Sequence, residues 1–209
     1  MKRLWKCGVF VGMGLLITVA VWTTRAAEEE PEKKPQRRPD VIFVPTPQDV
    51  VEKMLELAEV TKNDVVYDLG CGDGRIVVTA AKKYGCKAVG IDIDPQRVKE
   101  SLERVKKYKV EHLVTIKEGD IFQEDITPAS VVTLYLLPSL NVKLIPQLKK
   151  LKPGSRIVSH SFDMEGVKPD KVVHYEAKDG VTHTIYLWRT PLKIEKEPEQ
   201  EKSEEEKEK

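Results

Sequence analysis

The stretch Asp68-Leu69-Gly70-Cys71-Gly72-Asp73-Gly74 lies between an apolar run and a helix-period run that begins at Arg75. Its three glycines permit the positive φ angles and the close backbone approach that a sharp strand-to-helix turn requires. At the carboxyl edge of an open parallel sheet, such a turn borders the ligand crevice, and its backbone N–H groups can bind an anionic group. The stretch therefore predicts a nucleotide-type ligand site in an α/β fold.

Apolar runs and helix-period runs alternate on both sides of this turn. Strands are expected at residues 64–69, 87–93, 114–117, 131–137 and 156–162, and helices at residues 48–59, 75–84, 95–108 and 142–151. Two last strands, 171–176 and 182–188, flank Lys178-Asp179-Gly180, which is typical of a hairpin turn. The pattern predicts a doubly wound, mostly parallel α/β sheet of seven strands that ends in a C-terminal antiparallel hairpin.

Length and composition limit the number of domains. The chain has 209 residues, 33% of them charged, and a formal net charge of +1. This length is enough for one α/β domain with polar appendages. The near-zero net charge gives no overall electrostatic field that would favour nucleic acid as a partner. We expect a charged, Pro-rich linker at residues 28–40, one folded domain at residues 41–190, and a disordered Glu/Lys tail at residues 191–209.

Residues 1–27 are expected to decide where the protein works. A short basic start precedes an uncharged apolar run within residues 4–24, which is typical either of a signal peptide or of a single membrane anchor. Both alternatives stay open, and an uncleaved segment would attach the protein to the membrane. In both cases the basic flank stays in the cytosol, so we expect an exported or membrane-anchored protein with its domain on the non-cytosolic side.

Asp92 follows the glycine turn at the end of the next predicted strand, where a carboxylate can accept hydrogen bonds from both hydroxyls of a ribose. The turn is spaced G-x-G-x-G, whereas the dinucleotide fingerprint requires G-x-G-x-x-G with a small residue where Arg75 stands. The Asp68 carboxylate before the first glycine suits a positively charged ligand. S-adenosylmethionine carries an ammonium and a sulfonium, and it is therefore the predicted cofactor.

These motifs resemble those of class I S-adenosylmethionine-dependent methyltransferases. Three stretches narrow the resemblance to the small lysine methyltransferases that act on the ATP synthase c subunit and the adenine nucleotide translocase: Val44-Pro45-Thr46-Pro47, residues 68–77, and Leu137-Pro138-Ser139. The resemblance covers residues 41–173 and implies the strand order 3-2-1-4-5-7-6. The chain departs from the family's pattern at Cys71, where Ser is common, and at Asp92, where Glu is common.

The resemblance also implies roles for the residues around the turn. The methionyl end of the cofactor would contact Asp68 and the turn residues Gly70, Cys71, Gly72 and Gly74, and the ribose would contact Asp92. Asp120 would bind the adenine amino group, and Ile93 and Ile121 would pack on the adenine ring. Thr46 and Pro47 would form the upstream wall of the cofactor pocket. Alternatives stay open: Asp68 and Asp120 would then only brace turns, and the isoleucines would belong to the core.

The methyl acceptor is expected at the end of the fourth strand, where Tyr135, Ser139 and Asn141 would form the acceptor wall. The Asn/Asp-Pro-Pro-aromatic signature of amide- and base-methylating enzymes is absent, which argues against a nucleic-acid substrate. Three histidines in the late strands, His160, His174 and His183, are predicted to be structural. No spacing of His, Cys and carboxylate residues indicates a metal site or a covalent nucleophile.

The leading hypothesis is an enzyme that moves a methyl group from S-adenosylmethionine to a protein lysine, with a membrane protein as a candidate acceptor. A second hypothesis is methylation of a small molecule or a lipid-like quinone precursor, which would require a deeper apolar pocket. A third is a catalytically silent module that only binds S-adenosylmethionine. The intact Asp68, glycine turn and Asp92 argue against the third.

Overall fold

The computed structural model describes residues 38–39 and 41–195. The expected signal or anchor segment, all but two residues of the expected linker, and residues 196–209 of the expected tail lie outside the described residues. Within the described part of the chain, no helix combines the length and the apolar character needed to cross a membrane.

Seven strands form one sheet in the order β3-β2-β1-β4-β5-β7-β6. Their bounds are β1 Val65–Leu69, β2 Lys87–Asp92, β3 Val114–Glu118, β4 Val131–Leu134, β5 Arg156–His160, β6 Lys171–Glu176 and β7 Thr182–Arg189. Strands β1 to β5 pair in parallel, whereas β7 pairs antiparallel with both β5 and β6. The predicted fold class, strand order and C-terminal hairpin are confirmed.

The described residues also form the four predicted helices. Their bounds are α1 Gln48–Leu57, α2 Arg75–Tyr84, α3 Pro95–Tyr108 and α4 Pro138–Leu148. Helix α3 begins where the sequence predicts, because the Asp94 side chain accepts a hydrogen bond from the Gln96 backbone N–H and Pro95 fits the first turn. Helix α4 begins at Pro138 rather than at residue 142, and β4 ends at Leu134 rather than at residue 137.

The early start of α4 has a local cause. Leu137 has φ −58° and ψ 151°, the extended conformation that a residue before proline prefers. Pro138 then occupies the first helical turn, where its missing N–H costs no hydrogen bond. The three residues between β4 and α4 therefore form a short loop, the crossover after β4, at the carboxyl edge of the sheet instead of extending the strand.

Two hydrophobic clusters cover the two faces of the sheet. Val66 and Val131 face the cluster that includes α1 and α2, while Leu69 and Leu134 face the cluster that includes α4. This alternation along β1 and β4 reflects the period of two in a strand, and burial on both faces is typical of a parallel sheet. The ligand crevice is consequently expected at the edge of the sheet, where the strands end.

Candidate active site

A cleft of about 920 Å³, including its open mouth, lies at the carboxyl ends of the central strands. Nine residues predicted for the site line it: Thr46, Asp68, Gly70, Cys71, Asp92, Ile93, Asp120, Ile121 and Tyr135. Further lining residues come from the segment before α1 and from the crossover after β4, among them Val41, Ile42, Phe43, Val44, Leu136 and Leu140. The structure thus brings most of the predicted site together in one place.

The glycine turn is held by hydrogen bonds to the neighbouring strand. The backbone N–H groups of Gly70 and Cys71 both donate to the Ile91 carbonyl oxygen, at 2.9 and 3.0 Å. The Gly72 N–H donates to Asp92 Oδ2 at 2.8 Å. These bonds fix the turn against the end of β2, so the loop and the ribose-binding candidate form one unit.

Gly72 and Gly74 shape the turn without lining the cleft. Both have positive φ angles, 54° and 74°, which a residue with a Cβ rarely adopts. A Cβ on Gly72 would lie 2.1 Å from Phe43 Cε2, and a Cβ on Gly74 would lie 2.9 Å from Ser101 Oγ. The first glycine therefore lets Phe43 pack on the turn, and the second lets α3 pack against it.

Asp68 is a fully buried carboxylate at the base of the cleft. Burial raises its pKa to about 7; the hydrogen bond from Thr133 Oγ1, at 2.6 Å, lowers the pKa, and the charges of Asp92 and Asp73 raise it further. No cation is paired with Asp68 among the described ion pairs, so its negative charge is poorly compensated. A cationic ligand beside it would relieve this cost.

Asp92 is also largely buried, at the rim of the same cleft. Burial raises its pKa, while the backbone N–H groups of Asp94 and Gly72 donate to its two oxygens and lower it. Each carboxylate oxygen has two lone-pair sites, so both oxygens retain capacity for a ligand hydroxyl. The position and the chemistry of this side chain suit a ribose.

Asp73, unlike Asp68, pairs with cations, and its ion pairs brace the segment before α1. It accepts hydrogen bonds from Arg75 Nε and Nη2 and from Arg104 Nη2. Although burial raises its pKa, the contacts with the two guanidinium groups outweigh burial and hold the pKa below its usual value. Arg75 Nη1 also donates to the Thr46 carbonyl oxygen at 2.7 Å, so this ion-pair cluster positions the segment before α1 over the cleft.

Phe43 and Arg97 are among the lining residues that were not predicted from the sequence. Phe43 packs on the glycine turn, and the Arg97 guanidinium lies 4.9 Å from the centre of its ring, within the range of a cation–π contact. Phe43 is one apolar residue in the run 41–44, and nothing in that run marks it as part of a site. Its role depends on how the segment folds back over the turn.

The three residues predicted for the acceptor wall do not lie together in the structure. Tyr135 lines the cleft, but Ser139 is exposed and Asn141 is fully buried, and neither lines it. Because α4 begins at Pro138, Asn141 points into the fold, where its Nδ2 donates to the Asp163 carbonyl oxygen at 2.8 Å. Leu136 and Leu140 line the cleft together with Tyr135.

Comparison with known proteins identifies the family. Residues 68–171 match the family described as the ANTKMT methyltransferase domain. A protein-lysine N-methyltransferase of Saccharolobus islandicus is 48% identical over 153 residues, which are 72% of this chain and 94% of the relative. The chain belongs to this methyltransferase family.

Two further comparisons extend the finding. The crystal structure of an RNA methyltransferase from Salinibacter ruber with S-adenosyl-L-homocysteine is 50% identical; the match covers 74% of this chain and 98% of that one, with a TM-score of 0.68. The human lysine N-methyltransferase of the ATP synthase C subunit is 29% identical over 131 residues, 62% of this chain and 55% of the relative. The protein is an S-adenosylmethionine-dependent methyltransferase.

The residues of the cleft fit this cofactor. The uncompensated Asp68 suits its positive charges, and the pair of oxygens on Asp92 suits its ribose. The apolar side chains of Ile93 and Ile121 line the cleft together with Asp120, and an adenine ring needs apolar surfaces and a polar partner of this kind. Cys71 is free and buried, and burial raises its thiol pKa well above the usual value, so it stays uncharged beside these groups.

Proposed function

We propose that this methyltransferase N-methylates a lysine side chain of a protein. The observation that carries the proposal is the 48% identity, over nearly the full length of the relative, with a protein-lysine N-methyltransferase. Tyr135, Leu136 and Leu140 support it, because they offer an aromatic and aliphatic wall to the cleft. The methylene stem of a lysine packs on such a surface, and an aromatic face attracts an ammonium group.

The cofactor, when bound, supplies a methyl group on a positively charged sulfur. We propose that Asp68 and the turn at Gly70 and Cys71 hold its methionyl end, that Asp92 holds its ribose, and that Asp120 with Ile93 and Ile121 holds its adenine. The chain then contributes mainly by aligning the acceptor nitrogen with the methyl group and by excluding water. Thr46 and Tyr135 both line the cleft, and we propose that the acceptor approaches beside them.

Nucleic acid is the second candidate acceptor, because the 50% identical structure from Salinibacter ruber is described as an RNA methyltransferase. The charges of the cleft favour protein. Binding of nucleic acid depends on cations that contact phosphates, and the cationic side chains that line the described cleft are Arg75 and Arg97. Both are engaged, Arg75 with Asp73 and Arg97 with Glu100.

The test uses extracts of a strain of the source organism that lacks this gene, so that its acceptor sites are unmethylated. The purified enzyme and methyl-tritiated S-adenosylmethionine are added to membrane and soluble fractions. Protein, RNA, lipid and small molecules are then separated. We expect the label in protein, and in N-methyllysine after acid hydrolysis. Label that ribonuclease releases would replace lysine by RNA as the acceptor, and label in the lipid or small-molecule fraction would favour the quinone-type alternative.

The proposal extends to location. The uncharged run within residues 4–24 supports export or anchoring of the domain, and with it a membrane protein as the acceptor. Cell fractionation followed by N-terminal sequencing of the mature protein tests this. A chain that starts near residue 27 would indicate a cleaved signal, and an intact chain in the membrane fraction would indicate an anchor. An intact chain in the cytosolic fraction would contradict both.

A further inference from the structure

A chain of four hydrogen-bonded side chains leads from the cleft to the surface. Thr46 Oγ1 lies 3.1 Å from His160 Nδ1, and His160 Nε2 lies 2.9 Å from His183 Nδ1. His183 Nε2 in turn lies 3.2 Å from Asp179 Oδ2. Thr46 lines the cleft, whereas Asp179 sits in the turn between β6 and β7 with 41% of its side chain exposed.

When both imidazole rings are neutral, the carboxylate at the outer end fixes the direction of every bond in this chain. An ionised Asp179 can only accept, so His183 Nε2 must carry the proton that it donates. Neutral His183 then has a bare Nδ1, which accepts from His160 Nε2–H, and this leaves His160 Nδ1 bare. The Thr46 hydroxyl must therefore donate to His160 Nδ1, and its oxygen lone pairs remain available for a donor from elsewhere.

The inner part of the chain is shielded from water. Thr46 is 3% exposed and His160 is 1% exposed, and the Tyr135 ring covers His160 at 4.0 Å between ring centres. Burial, and then the neighbouring His183, lowers the pKa of His160 to about 4. His160 therefore stays neutral near pH 7, so it can pass a proton along but does not store one.

Among the described residues, Tyr135 and Asp49 are titratable groups beside this hydrogen-bonded chain. Tyr135 faces His160 from the end of β4. The Val181 N–H, and to a smaller extent the His183 ring, hold the pKa of Asp179 below its usual value, against desolvation and the charge of Asp49 on α1. The Lys178 N–H donates to Asp49 Oδ2 at 2.7 Å, which ties the hairpin turn to the helix that follows Thr46.

We propose that Thr46, His160, His183 and Asp179 form a proton relay that deprotonates the acceptor lysine. The proposal rests on lysine methylation as the function. Near pH 7 a lysine is an ammonium ion without a free electron pair, so it must lose a proton before it can attack a methyl group. Other groups of the described site are engaged elsewhere: Asp68 and Asp92 lie on the cofactor side, and Tyr135 packs on the relay itself.

One proton moves at each link of the relay. One N–H bond of the ammonium breaks, and its proton goes to Thr46 Oγ1 while the hydroxyl proton moves to His160 Nδ1. The His160 Nε2 proton moves to His183 Nδ1, and the His183 Nε2 proton moves to Asp179 and from there to water. The electron pair freed on the lysine nitrogen forms the N–CH₃ bond, and the pair of the breaking S–CH₃ bond stays on sulfur. After the product leaves, one proton passes back along the relay from water at Asp179 to water in the open cleft, and this restores the starting tautomers.

The experiment compares three variants with the wild type across a pH series. Thr46→Val removes the hydroxyl at nearly constant shape, and His160→Asn keeps an acceptor for Thr46 but breaks the link to His183. His183→Gln interrupts the same hydrogen-bonded chain at a more exposed position, and it serves as the second test if His160→Asn folds poorly. The matched control is His174→Asn, since His174 lies on the adjacent strand and bonds only the surface residue Thr184 among the described hydrogen bonds.

The readout is N-methyllysine formed in proteins of the gene-deleted extract, together with the melting temperature and the affinity for S-adenosyl-L-homocysteine. We expect each relay variant to lose about 100-fold in kcat/KM near pH 7, the usual size of a general-base contribution. The loss should shrink about tenfold per pH unit toward pH 9, because the fraction of neutral lysine rises by that factor. The affinity of His160→Asn and His183→Gln for S-adenosyl-L-homocysteine should stay within about threefold of wild type.

Each outcome bears on the relay. A loss in kcat/KM that is equal at every pH would show a structural role and overturn the proposal, as would relay variants that behave like His174→Asn. A wild-type enzyme that forms no N-methyllysine but labels RNA or small molecules would remove the proposed function and the relay together. N-methyllysine from the wild type with unaffected Thr46→Val and His183→Gln variants would remove the relay alone.

Discussion

Asp92 Oδ2 accepts a hydrogen bond from the Gly72 backbone N–H at 2.8 Å, and Oδ1 of the same carboxylate accepts one from the Asp94 N–H at 2.9 Å. Both oxygens of Asp92 thus face backbone donors. An amide at this position would turn an NH₂ group toward one of these N–H groups, and two donors cannot satisfy each other. The side chain that is proposed to hold the ribose therefore also holds the glycine turn.

Asp92→Asn should weaken cofactor binding and loosen the turn together. The lost charge-assisted bonds are worth about 1.5–3 kcal/mol each, so we expect the affinity for S-adenosyl-L-homocysteine to fall about tenfold or more, with a lower melting temperature. Titration calorimetry and thermal unfolding measure the two effects. Asp125→Asn, in an exposed turn away from the cleft, is the control. Wild-type affinity in Asp92→Asn would contradict the assignment.

Asp68 should make cofactor affinity depend on pH. With a pKa of about 7 in the absence of ligand, Asp68 is largely protonated near pH 5 and must lose its proton before it can pair with a cation. The affinity for S-adenosylmethionine should therefore rise between about pH 5 and pH 7, by up to about tenfold per unit, and then level off. Asp68→Asn should bind weakly and show no such slope. An equal slope in wild type and Asp68→Asn would exclude Asp68 as its source.

The same carboxylate should lower the stability of the ligand-free protein. Because its folded pKa is raised from 3.8 to about 7, the folded state binds this proton more tightly than the unfolded chain does. The contribution of Asp68 to stability therefore falls as pH rises from about 4 to about 7. Asp68→Asn should melt at a higher temperature than the wild type near pH 8 when no ligand is present. A lower melting temperature would show that burial of the charge is compensated within the fold.

Alanine substitutions at Gly74 and Gly85, at the two ends of α2, distinguish the cost of backbone strain from the cost of a steric clash. Both are in the left-handed conformation, with φ 74° and 67°, so an alanine at either position costs about 1–2 kcal/mol. A Cβ on Gly74 would also lie 3.2 Å from the Ser101 Cα of α3, whereas a Cβ on Gly85 would meet nothing within 4 Å. We expect urea unfolding to show a clearly larger loss for Gly74→Ala. Equal losses of stability would mean that α3 shifts away from the added methyl group with no loss of stability.

The sequence predicted correctly that Asp68, the glycine turn and Asp92 lie at the carboxyl ends of two adjacent strands. Asp68, the glycine turn and Asp92 are set by short-range pattern, since a parallel strand must end where its ligand crevice begins. Asn141 was misplaced because one proline, Pro138, moved the start of α4, and a shift of a few residues turns a helical side chain to another face. Phe43 and Arg97 are 54 positions apart and meet only after the chain folds.

The contact between His160 and His183 also could not be predicted from the sequence. His160 ends β5 and His183 lies in β7, and their neighbours in sequence give no sign that the two rings touch. Their contact follows from the antiparallel register of β5 and β7, in which His160 lies opposite Ile185. Thr46 then reaches His160 because Arg75 holds the Thr46 carbonyl. Hydrophobic periodicity does not encode any of these pairings.

Asp64 and Arg156 provide the last prediction, at the edge of the sheet opposite the cleft. Arg156 Nη2 lies 2.6 Å from Asp64 Oδ1, which also accepts from Ser130 Oγ at 2.7 Å. Burial raises the pKa of Asp64, but the hydrogen bonds from Ser130, Thr61 and Arg156 outweigh it, so the net pKa is below 3.8. Because this folded pKa is depressed, the stability that Asp64 contributes is present above about pH 4 and is lost as pH falls further.

Asp64→Asn should therefore destabilise the fold by about 2 kcal/mol or more near pH 7, since it leaves the mostly buried Arg156 without its charge partner. The deficit relative to wild type should shrink below about pH 4, where the wild-type carboxylate also becomes neutral. Glu52→Gln is the matched control, because its pair with Lys83 is nearly half exposed on both sides and should contribute little to stability. Urea unfolding across the pH range measures both variants. A deficit in Asp64→Asn that persists unchanged in acid would locate its cause in the altered hydrogen bonds to Thr61 and Ser130 instead of in the lost charge.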